Sequence, residues 1–318
     1  MTTVEQAETA AAVGLQDRVG TARRRRPTFR GNWWRHVIAL IAVVWAVFPI
    51  AYVTSAAFNA DQTLGGASLI PRDFTLENFH QLLSGTVQSL TEGSPDTKIN
   101  YLRWYANTMV VALSTAVLTV LLGALAAYAF SRFRFKGRRI GLLSLLLIQM
   151  FPQLLLVVGI YLIVLHTGDV FGFIGLNTLT GLVIVYLGGV MGVNVWLMKG
   201  FFDTIPSELD ESARVDGATP AQVFWGVILP LAAPVLAVIG LFSFIGVINE
   251  FVIASVLLQD REQFTLALGL RDFIDQQYSE HWGAFAAGVL LAAPPIVLVF
   301  LFLQKFIVSG LTGGAVKG

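Results

Sequence analysis

Cysteine is absent from the 318-residue sequence, and charged residues are scarce. Without cysteine the chain cannot form a disulfide framework, a zinc–thiolate site, an iron–sulfur cluster or a cysteine nucleophile. Charged residues make up 13% of the chain, whereas a soluble domain contains about 25%. Because so few charges cannot cover the outside of a soluble globule, the composition excludes a soluble enzyme, a disordered chain and a nucleic-acid-binding protein.

Signatures of nucleotide binding and catalysis are also lacking. None of the five lysines follows a glycine, so the chain has no Walker A phosphate loop, which ends in Gly-Lys-Ser/Thr. The four histidines lie in separate segments, without metal-ligand spacing and without a membrane-embedded acid or Ser beside them: His36, His80, His166 and His281. The sequence therefore predicts no catalytic residue and no metal site on this chain.

Apolar residues, in contrast, are abundant: 55% of the chain is hydrophobic and the mean hydropathy is +0.71. A membrane-spanning helix needs about 20 mostly apolar residues, and in lipid only a helix or a closed barrel satisfies its own backbone. Six stretches qualify: 37–58, 106–130, 140–165, 179–198, 231–258 and 284–303. We therefore predict an all-α polytopic membrane protein with six transmembrane helices that tolerate their internal prolines, Pro49, Pro152, Pro234, Pro294 and Pro295.

Basic residues are distributed unevenly between the segments that separate these stretches. With the N-terminus inside, sixteen of the 21 Lys and Arg residues fall in inside segments, which is the bias of cytoplasmic loops. The Arg23–Arg26 run precedes an apolar span, so a topogenic flank explains it better than a nucleic-acid contact. The sequence predicts cytoplasmic N- and C-termini, with a mobile basic tail over 1–35, a transmembrane domain over 36–310 and a tail over 311–318.

The inside loop 199–230 carries signals for local structure. Ser207 is followed three residues later by Asp210, which is close to a capping box, and a helix is expected over about 208–216. Gly217 is placed to end that helix with a positive φ.

A second helix is expected directly afterwards, with Thr219 as its N-cap and Pro220 as its first residue. The loop therefore predicts a helix–Gly–helix elbow. Cytoplasmic loops usually carry an excess of Lys and Arg, but the elbow carries four acidic residues: Glu208, Asp210, Glu211 and Asp216. Either it is a passive structured loop or it is a contact surface.

Glu250 is the one ionisable residue well inside a predicted span. Such a residue is a functional hypothesis by default. It is either a structural hydrogen-bond partner or a proton-coupling carboxylate, and the second reading would make the chain a proton-coupled secondary transporter.

The two long outside loops give weaker signals. Loop 59–105 predicts a short helix near Thr75–Leu83, with Thr75 as N-cap. Loop 259–283 is polar and is either a solvated connector or a partner contact.

The inside loop also resembles a family signature. It reads Glu-Ser-Ala, three residues, Gly, nine residues, Val, one residue and Leu-Pro, at positions 211–213, 217, 227 and 229–230. Permeases of ABC importers carry Glu-Ala-Ala, three residues, Gly, nine residues, Ile, one residue and Leu-Pro, known as the EAA signature. Ser212 and Val227 depart from it conservatively. The position of the loop, between the fourth and fifth spans, also matches that family.

Further segments resemble carbohydrate-importer permeases, and in particular the MalG-like maltose/maltodextrin permeases. These segments are 74–79, 216–220, 249–251, 265–267 and 310–318. The last one is also similar to trehalose-type relatives, so it does not fix the sugar. The resemblance covers about residues 35–318. It implies a type I ABC importer permease fold and the import of maltose/maltodextrin-type oligosaccharides, or of another sugar such as trehalose.

The resemblance also implies partners and a location. The partners would be a second permease subunit (MalF-like), an ATPase homodimer (MalK-like) that holds ATP and magnesium, and an extracytoplasmic sugar-binding protein. The chain itself would bind no cofactor and would not be an enzyme. Its location would be the bacterial cytoplasmic membrane.

By the same resemblance, three groups of residues acquire roles. The residues that would couple to the ATPase are Glu211, Ser212, Ala213, Asp216, Gly217, Leu229 and Pro230. Gln277, with Gln276 as an alternative, would contact the sugar-binding protein, and Thr312 and Lys317 would lie in a tail against the ATPase. No sugar-contacting residue is assigned, because in maltose importers the membrane sugar site belongs mainly to the partner permease.

Overall fold

The computed structural model describes residues 33–60, 71, 73–85, 100–274 and 281–315, with backbone only at 153 and 307–315. The predicted tail over 1–35 therefore lies outside the described residues, apart from its last three. The helices in order are α1 (Trp33–Ala57), α2 (Glu77–Ser84), α3 (Tyr101–Arg132), α4 (Arg138–Gln149), α5 (Gln153–Val170), α6 (Leu179–Phe202), α7 (Ser207–Val215), α8 (Pro220–Val223), α9 (Leu229–Asn249), α10 (Val252–Leu257), α11 (Leu266–Arg271) and α12 (Trp282–Ala315).

Five helical stretches in the described ranges are long and apolar enough to cross a membrane: Trp33–Ala57, Tyr101–Arg132, Leu179–Phe202, Pro220–Asn249 and Trp282–Phe306. Helices α4 and α5 form a sixth if they cross as one span, but they are bent by 106°. The bend lies between the end of α4 at Gln149 and the start of α5 at Gln153. Pro152 lies in this gap, and a proline disfavours the helical conformation in the residue that precedes it. The expectation of one continuous helix through Pro152 is thus wrong, while Pro49, Pro234, Pro294 and Pro295 do lie inside helices.

Two further predicted spans have different ends. The stretch predicted over 231–258 is divided, because α9 ends at Asn249 and α10 begins at Val252. Helix α12 continues to Ala315, past the end of its apolar run near Leu303. Hydropathy marks where a chain leaves the membrane, whereas backbone hydrogen bonding can continue beyond that point. The first residues of the tail predicted over 311–318 are therefore helical.

The chain divides into two compact units, Met1–Ala51 and Tyr52–Gly318. In the first unit the described residues form most of α1, and residues 33–50 are all exposed. A helix that is apolar on every side is typical of a membrane span.

The second unit is built around α3, which packs along α6 and α9. Its buried side chains form two hydrophobic clusters at opposite ends of these three helices. One contains Tyr101, Val111, Leu182, Phe244 and Phe273. The other, which we call the elbow-side cluster, contains Ala124, Met198, Phe202, Phe224 and Ile228.

Residues 259–274 are not a solvated connector, which is one of the two alternatives that the sequence leaves open for loop 259–283. The indole Nε1 of Trp104 donates to the carbonyl of Arg261 at 2.8 Å, and the Asn107 amide donates to the carbonyls of Glu262 and Phe264 at 2.9 and 3.0 Å. The amide N–H of Leu266 donates to Thr108 Oγ1 at 2.7 Å. The first half of the loop is thus folded onto α3. The polar side chains of the segment gave no indication of this packing, because the side chains of α3 bond to the backbone of the segment.

Helix α2 begins two residues later than predicted. It starts at Glu77 with Leu76 at the N-cap position, and Thr75 Oγ1 accepts a hydrogen bond from the Glu77 amide at 3.1 Å, so Thr75 satisfies the first open amide of the helix from one position further out. Asn78 then donates to the carbonyls of Ala57 and Asn59, at 3.0 and 2.9 Å. These two bonds connect α2 to the chain that follows α1.

Candidate functional site

The candidate site is the elbow, which comprises α7, Gly217 and α8 between α6 and α9. Gly217 has a φ of +86°, as predicted. Its amide donates to the carbonyl of Arg214 at 3.0 Å, and the Ala218 amide donates to the carbonyl of Ala213 at 2.9 Å. This pair of bonds is a Schellman motif, which ends a helix sharply and fixes the direction of the following chain.

The second arm of the elbow begins with a complete capping box. The Thr219 amide donates to Gln222 Oε1 at 2.8 Å, and the Gln222 amide donates to Thr219 Oγ1 at 3.3 Å. Pro220 is the first helical residue, where its missing N–H costs no bond. The N-cap assigned to Thr219 is confirmed. From there the helix continues through a π-helical turn at Phe224–Ile228 into α9.

The start of α7 differs from the sequence-based expectation. Pro206 occupies the N-cap position in an extended conformation, and Ser207 is the first residue of the helix, with no side-chain cap bond at this end. The near capping box of Ser207 and Asp210 is therefore not formed. Asp210 has a different role.

Asp210 pairs with Arg132 at the end of α3, with 2.5 Å between Oδ2 and Nε. The side chains are 5% and 11% exposed, respectively. Arg132 also donates to the carbonyl of Ile205 at 2.9 Å. A buried pair of this kind costs much when one partner is removed, because the other charge is left without compensation. The contact therefore ties the elbow to α3.

Sequence reasoning did not identify this contact. The sequence places Asp210 only in a near capping box with Ser207 and among the acidic residues of the elbow. One signal was available: Asp210 and Ala213 are three residues apart and so share one face of α7. Ala213 packs against the elbow-side cluster, which makes that face the inner one.

A second polar contact lies beside the first. Asp203 accepts hydrogen bonds from Lys199 and, at 2.7 Å, from Ser131. Burial pushes the pKa of Asp203 upward, but the bonds from Lys199 and Ser131 and the charges of Lys199 and Arg138 outweigh it and leave that pKa below its usual value. The end of α3 is thus connected both to α7 and to the end of α6.

The seven predicted coupling residues divide into two groups. Glu211, Ser212, Asp216 and Gly217 are exposed on the elbow. Ala213 and Leu229 are half-buried against the elbow-side cluster, and Pro230 is exposed at the start of α9. Two apolar side chains that the sequence reasoning missed, Leu209 and Val215, are 41% and 87% exposed. The outer face of α7 therefore combines acidic and apolar groups.

Glu250 lies at the break between α9 and α10. Its Oε2 accepts from the Tyr186 hydroxyl at 2.5 Å, and its carboxylate accepts from the amides of Ile253 at 2.8 Å and Ala254 at 3.1 Å. A carboxylate that accepts backbone N–H bonds at a helix start satisfies donors that the helix leaves open. This geometry favours a structural role.

The remaining predicted site residues are described in part or not at all. Gln276, Gln277 and Lys317 lie outside the described residues, and Thr312 lies in the backbone of α12. Within the described ranges, no group of three or more His, Asp or Glu side chains is placed to hold a metal ion.

A cavity of about 790 Å³ lies between α3, α9 and α12. Its lining consists of Leu, Val, Ala, Phe, Pro and Gly residues, among them Val117, Pro230, Gly240 and Phe302. A sugar needs hydrogen-bonding partners for its hydroxyl groups when it leaves water. This cavity offers no polar side chain and is unsuited to hold a sugar.

The sequence of this chain is similar to those of known transport proteins. The model of a family described as "Binding-protein-dependent transport system inner membrane component" matches residues 119–312, which include the elbow. The maltose/maltodextrin transport system permease protein MalG of Vibrio vulnificus (strain YJ016) is 40% identical over 286 residues, 90% of this chain and 96% of MalG. The galactooligosaccharides transport system permease protein GanQ of Bacillus subtilis (strain 168) is 36% identical over 282 residues, 89% of this chain and 94% of GanQ.

A solved structure shares the fold. A chain in the crystal structure of a bacterial ABC transporter involved in the import of the acidic polysaccharide alginate superimposes with a TM-score of 0.70. The match covers 90% of this chain and 99% of that chain, at 23% identity. The type of fold expected from the sequence is thereby confirmed.

Proposed function

The chain belongs to the family of binding-protein-dependent transport system inner membrane components, and we propose that it is a permease subunit of an ATP-driven ABC importer for maltose/maltodextrin-type oligosaccharides. The observation that carries the proposal is the elbow: an exposed helix, ended by a Schellman motif and tied to α3 by a buried ion pair. The similarity to MalG of Vibrio vulnificus supports the substrate class.

In this proposal, energy reaches the chain through a protein contact. Transport against a gradient needs two membrane states and an energy source that favours one of them. The sequence contains no Walker A loop, so ATP and magnesium belong to a partner ATPase. The exposed Glu211, Ser212, Asp216 and Gly217 would contact that ATPase, while Ala213, Leu229 and Pro230 connect the contact to the membrane helices.

Several contacts hold the elbow in place, as such coupling requires. Both of its arms have defined ends, the Schellman motif at Gly217 and the capping box at Thr219. The Arg132–Asp210 pair joins it to a helix that packs along α6 and α9. Closure of the ATPase would therefore move these spans with the elbow as a rigid body.

The complete importer, as proposed, contains a second permease (MalF-like), an ATPase homodimer (MalK-like) and an extracytoplasmic sugar-binding protein. Its location would be the bacterial cytoplasmic membrane, with both termini cytoplasmic, as the distribution of Lys and Arg favours. Gln276 or Gln277 would contact the binding protein, and Thr312 and Lys317 the ATPase.

Two alternatives concern the sugar and the energy source. The similarity to GanQ favours a galactooligosaccharide as a second candidate substrate, and the C-terminal residues leave a trehalose-type sugar open. A proton-coupled secondary transporter would use Glu250. The bonds of Glu250 to Tyr186 and to two backbone amides argue for a structural role instead.

The test is purification of the tagged chain from its native membrane in mild detergent, followed by reconstitution into liposomes with its co-purifying subunits. We expect a co-purifying ATPase and a second permease, and uptake of labelled maltotriose that requires ATP and the binding protein. Galactooligosaccharide and trehalose serve as competitors that rank the three sugars. A chain that arrives alone and transports without ATP would contradict the proposal.

A further inference from the structure

A basic cavity lies at the turn between α3 and α4, and the coupling proposal does not use it. Its volume is about 670 Å³. The lining combines cationic with apolar side chains: Arg138, Arg139 and Lys199 with Phe135, Ile140 and Leu142.

The charge of this cavity is positive. The ten residues 133–142 include four Lys or Arg and no Asp or Glu. Lys199 is paired with Asp203, so these two charges offset each other. Arg138 makes one long bond, 3.5 Å to the carbonyl of Ser131, and Arg139 is exposed. Asp203, whose charge also interacts with that of Arg138, offsets one of the three cations Lys199, Arg138 and Arg139, so that a net positive charge remains available to an anion.

An apolar strip continues from the cavity along α4. Ile140, Leu143 and Leu147 are spaced three and seven residues from the first of them and so share one face of the helix. All three are exposed. In a membrane-spanning chain, exposed apolar side chains next to basic ones are typical of the boundary between acyl chains and headgroups.

We propose that this cavity binds an anionic phospholipid. The guanidinium groups of Arg138 and Arg139 hold the headgroup phosphate, since a guanidinium can donate two parallel hydrogen bonds to phosphate oxygens. An acyl chain lies on the strip formed by Ile140, Leu143 and Leu147. Binding at this site requires both the guanidinium groups and the apolar strip. This requirement distinguishes a lipid from free inorganic phosphate, which has no acyl chain.

The position of the site gives it a consequence for the elbow. Arg138 bonds to the carbonyl of Ser131, and the next residue, Arg132, holds Asp210. A lipid held by Arg138 and Arg139 therefore contacts the turn that directly follows Arg132, the residue that pairs with Asp210 of the elbow. The composition of the surrounding bilayer would thereby influence how firmly the elbow is held.

The competing explanation is that the basic residues serve only to orient the chain during insertion. That role depends on the number of positive charges, and not on which of them line a cavity. Arg134 and Lys136 lie in the same turn but do not line the cavity. Matched double variants therefore separate the two explanations.

The experiment measures phospholipid retained by the purified full-length chain, with any subunits it carries, by native mass spectrometry. The probes are phosphatidylglycerol, zwitterionic phosphatidylcholine and inorganic phosphate. For Arg138→Gln/Arg139→Gln we expect retention of phosphatidylglycerol to fall about tenfold or more. For Arg134→Gln/Lys136→Gln we expect a change of less than about twofold.

Three results would overturn the proposal. They are equal losses in the two double variants, equal retention of phosphatidylcholine and phosphatidylglycerol, or displacement of the lipid by millimolar phosphate. If the cavity variant fails to insert, Arg139→Gln alone replaces it, with an expected loss of about threefold. Since the measurement needs no transport, its result is independent of the proposed importer function.

Discussion

Arg132 of α3 and Asp210 of α7 meet in a buried ion pair with 2.5 Å between Nε and Oδ2. This contact joins the end of a membrane-spanning helix to the first turn of the elbow. It is a property of the tertiary structure, because Asp210 pairs with a residue of another helix, although Arg214 lies four positions further along α7.

Neutralising either partner should destabilise the protein. For Asp210→Asn or Arg132→Gln we expect a loss of about 3–5 kcal/mol in the free energy of unfolding, since the remaining charge is buried without a partner. The measurement is denaturant unfolding of the solubilised protein. The exchange Arg132→Asp/Asp210→Arg should recover part of the loss.

An exposed pair provides the control for this prediction. Arg103 and Glu262 are 3.0 Å apart, with side chains 42% and 69% exposed. For Glu262→Gln we expect a loss of at most about 1 kcal/mol, because solvent screens the pair. Equal losses for Glu262→Gln and Asp210→Asn would contradict the anchoring role of Asp210.

Changes at Gly217 should uncouple the elbow. A Cβ at its φ of +86° is strained by about 1 kcal/mol, and a carboxylate at the C-terminal end of a helix is unfavourable. We expect Gly217→Asp to abolish ATP-driven uptake while the chain still inserts, and Gly217→Ala to reduce it. Uptake and membrane content are measured in the same vesicles.

Gly200 is the matched control. A Cβ would meet open space at both glycines, but only Gly217 of the two has a positive φ. Gly200→Ala should therefore leave uptake unchanged. Normal uptake by Gly217→Asp would refute the assignment of the elbow to coupling.

Glu250 provides a test between structure and proton coupling. Glu250→Gln keeps an acceptor oxygen for Tyr186 or for the amides of α10, whereas Glu250→Ala removes every one of these bonds. We expect uptake to survive Glu250→Gln and the protein to lose about 1–2 kcal/mol in Glu250→Ala. A Glu250→Gln protein that folds normally but has lost uptake would support the proton-coupled alternative.

Gly269 reports on the fold of residues 259–274. A Cβ at Gly269 would overlap the ring of Trp104, whereas a Cβ at Gly246 would meet nothing. We expect Gly269→Ala to destabilise the protein by about 1–3 kcal/mol or more and Gly246→Ala to have little effect. Thermal unfolding of both variants is the measurement, and similar curves would show that the segment is not packed on α3.

The sequence is most informative where a signal is local. Gly217 and Thr219 were identified correctly because a positive φ and a capping box depend on a few adjacent residues. The apolar runs are equally clear, since each is long and mostly apolar. These signals were sufficient for the class of fold and for the position of the elbow.

Contacts between distant residues left no such signal. Pro152 breaks a helix whereas Pro49 and Pro234 do not, although all three lie in stretches that are long and apolar enough to span a membrane. Trp104 and Gly269 approach each other across more than 150 positions. Such contacts depend on how the helices pack, and period or composition cannot reveal them.

The way α3 holds residues 261–266 has a consequence for the evolution of the segment. Trp104, Asn107 and Thr108 bond to its carbonyl and amide groups, which every residue except proline provides alike. The side chains of Arg261, Glu262 and Gln263 can therefore be exchanged while these bonds persist. The side chains that this segment exposes can thus change during evolution, while its backbone keeps the same position on α3.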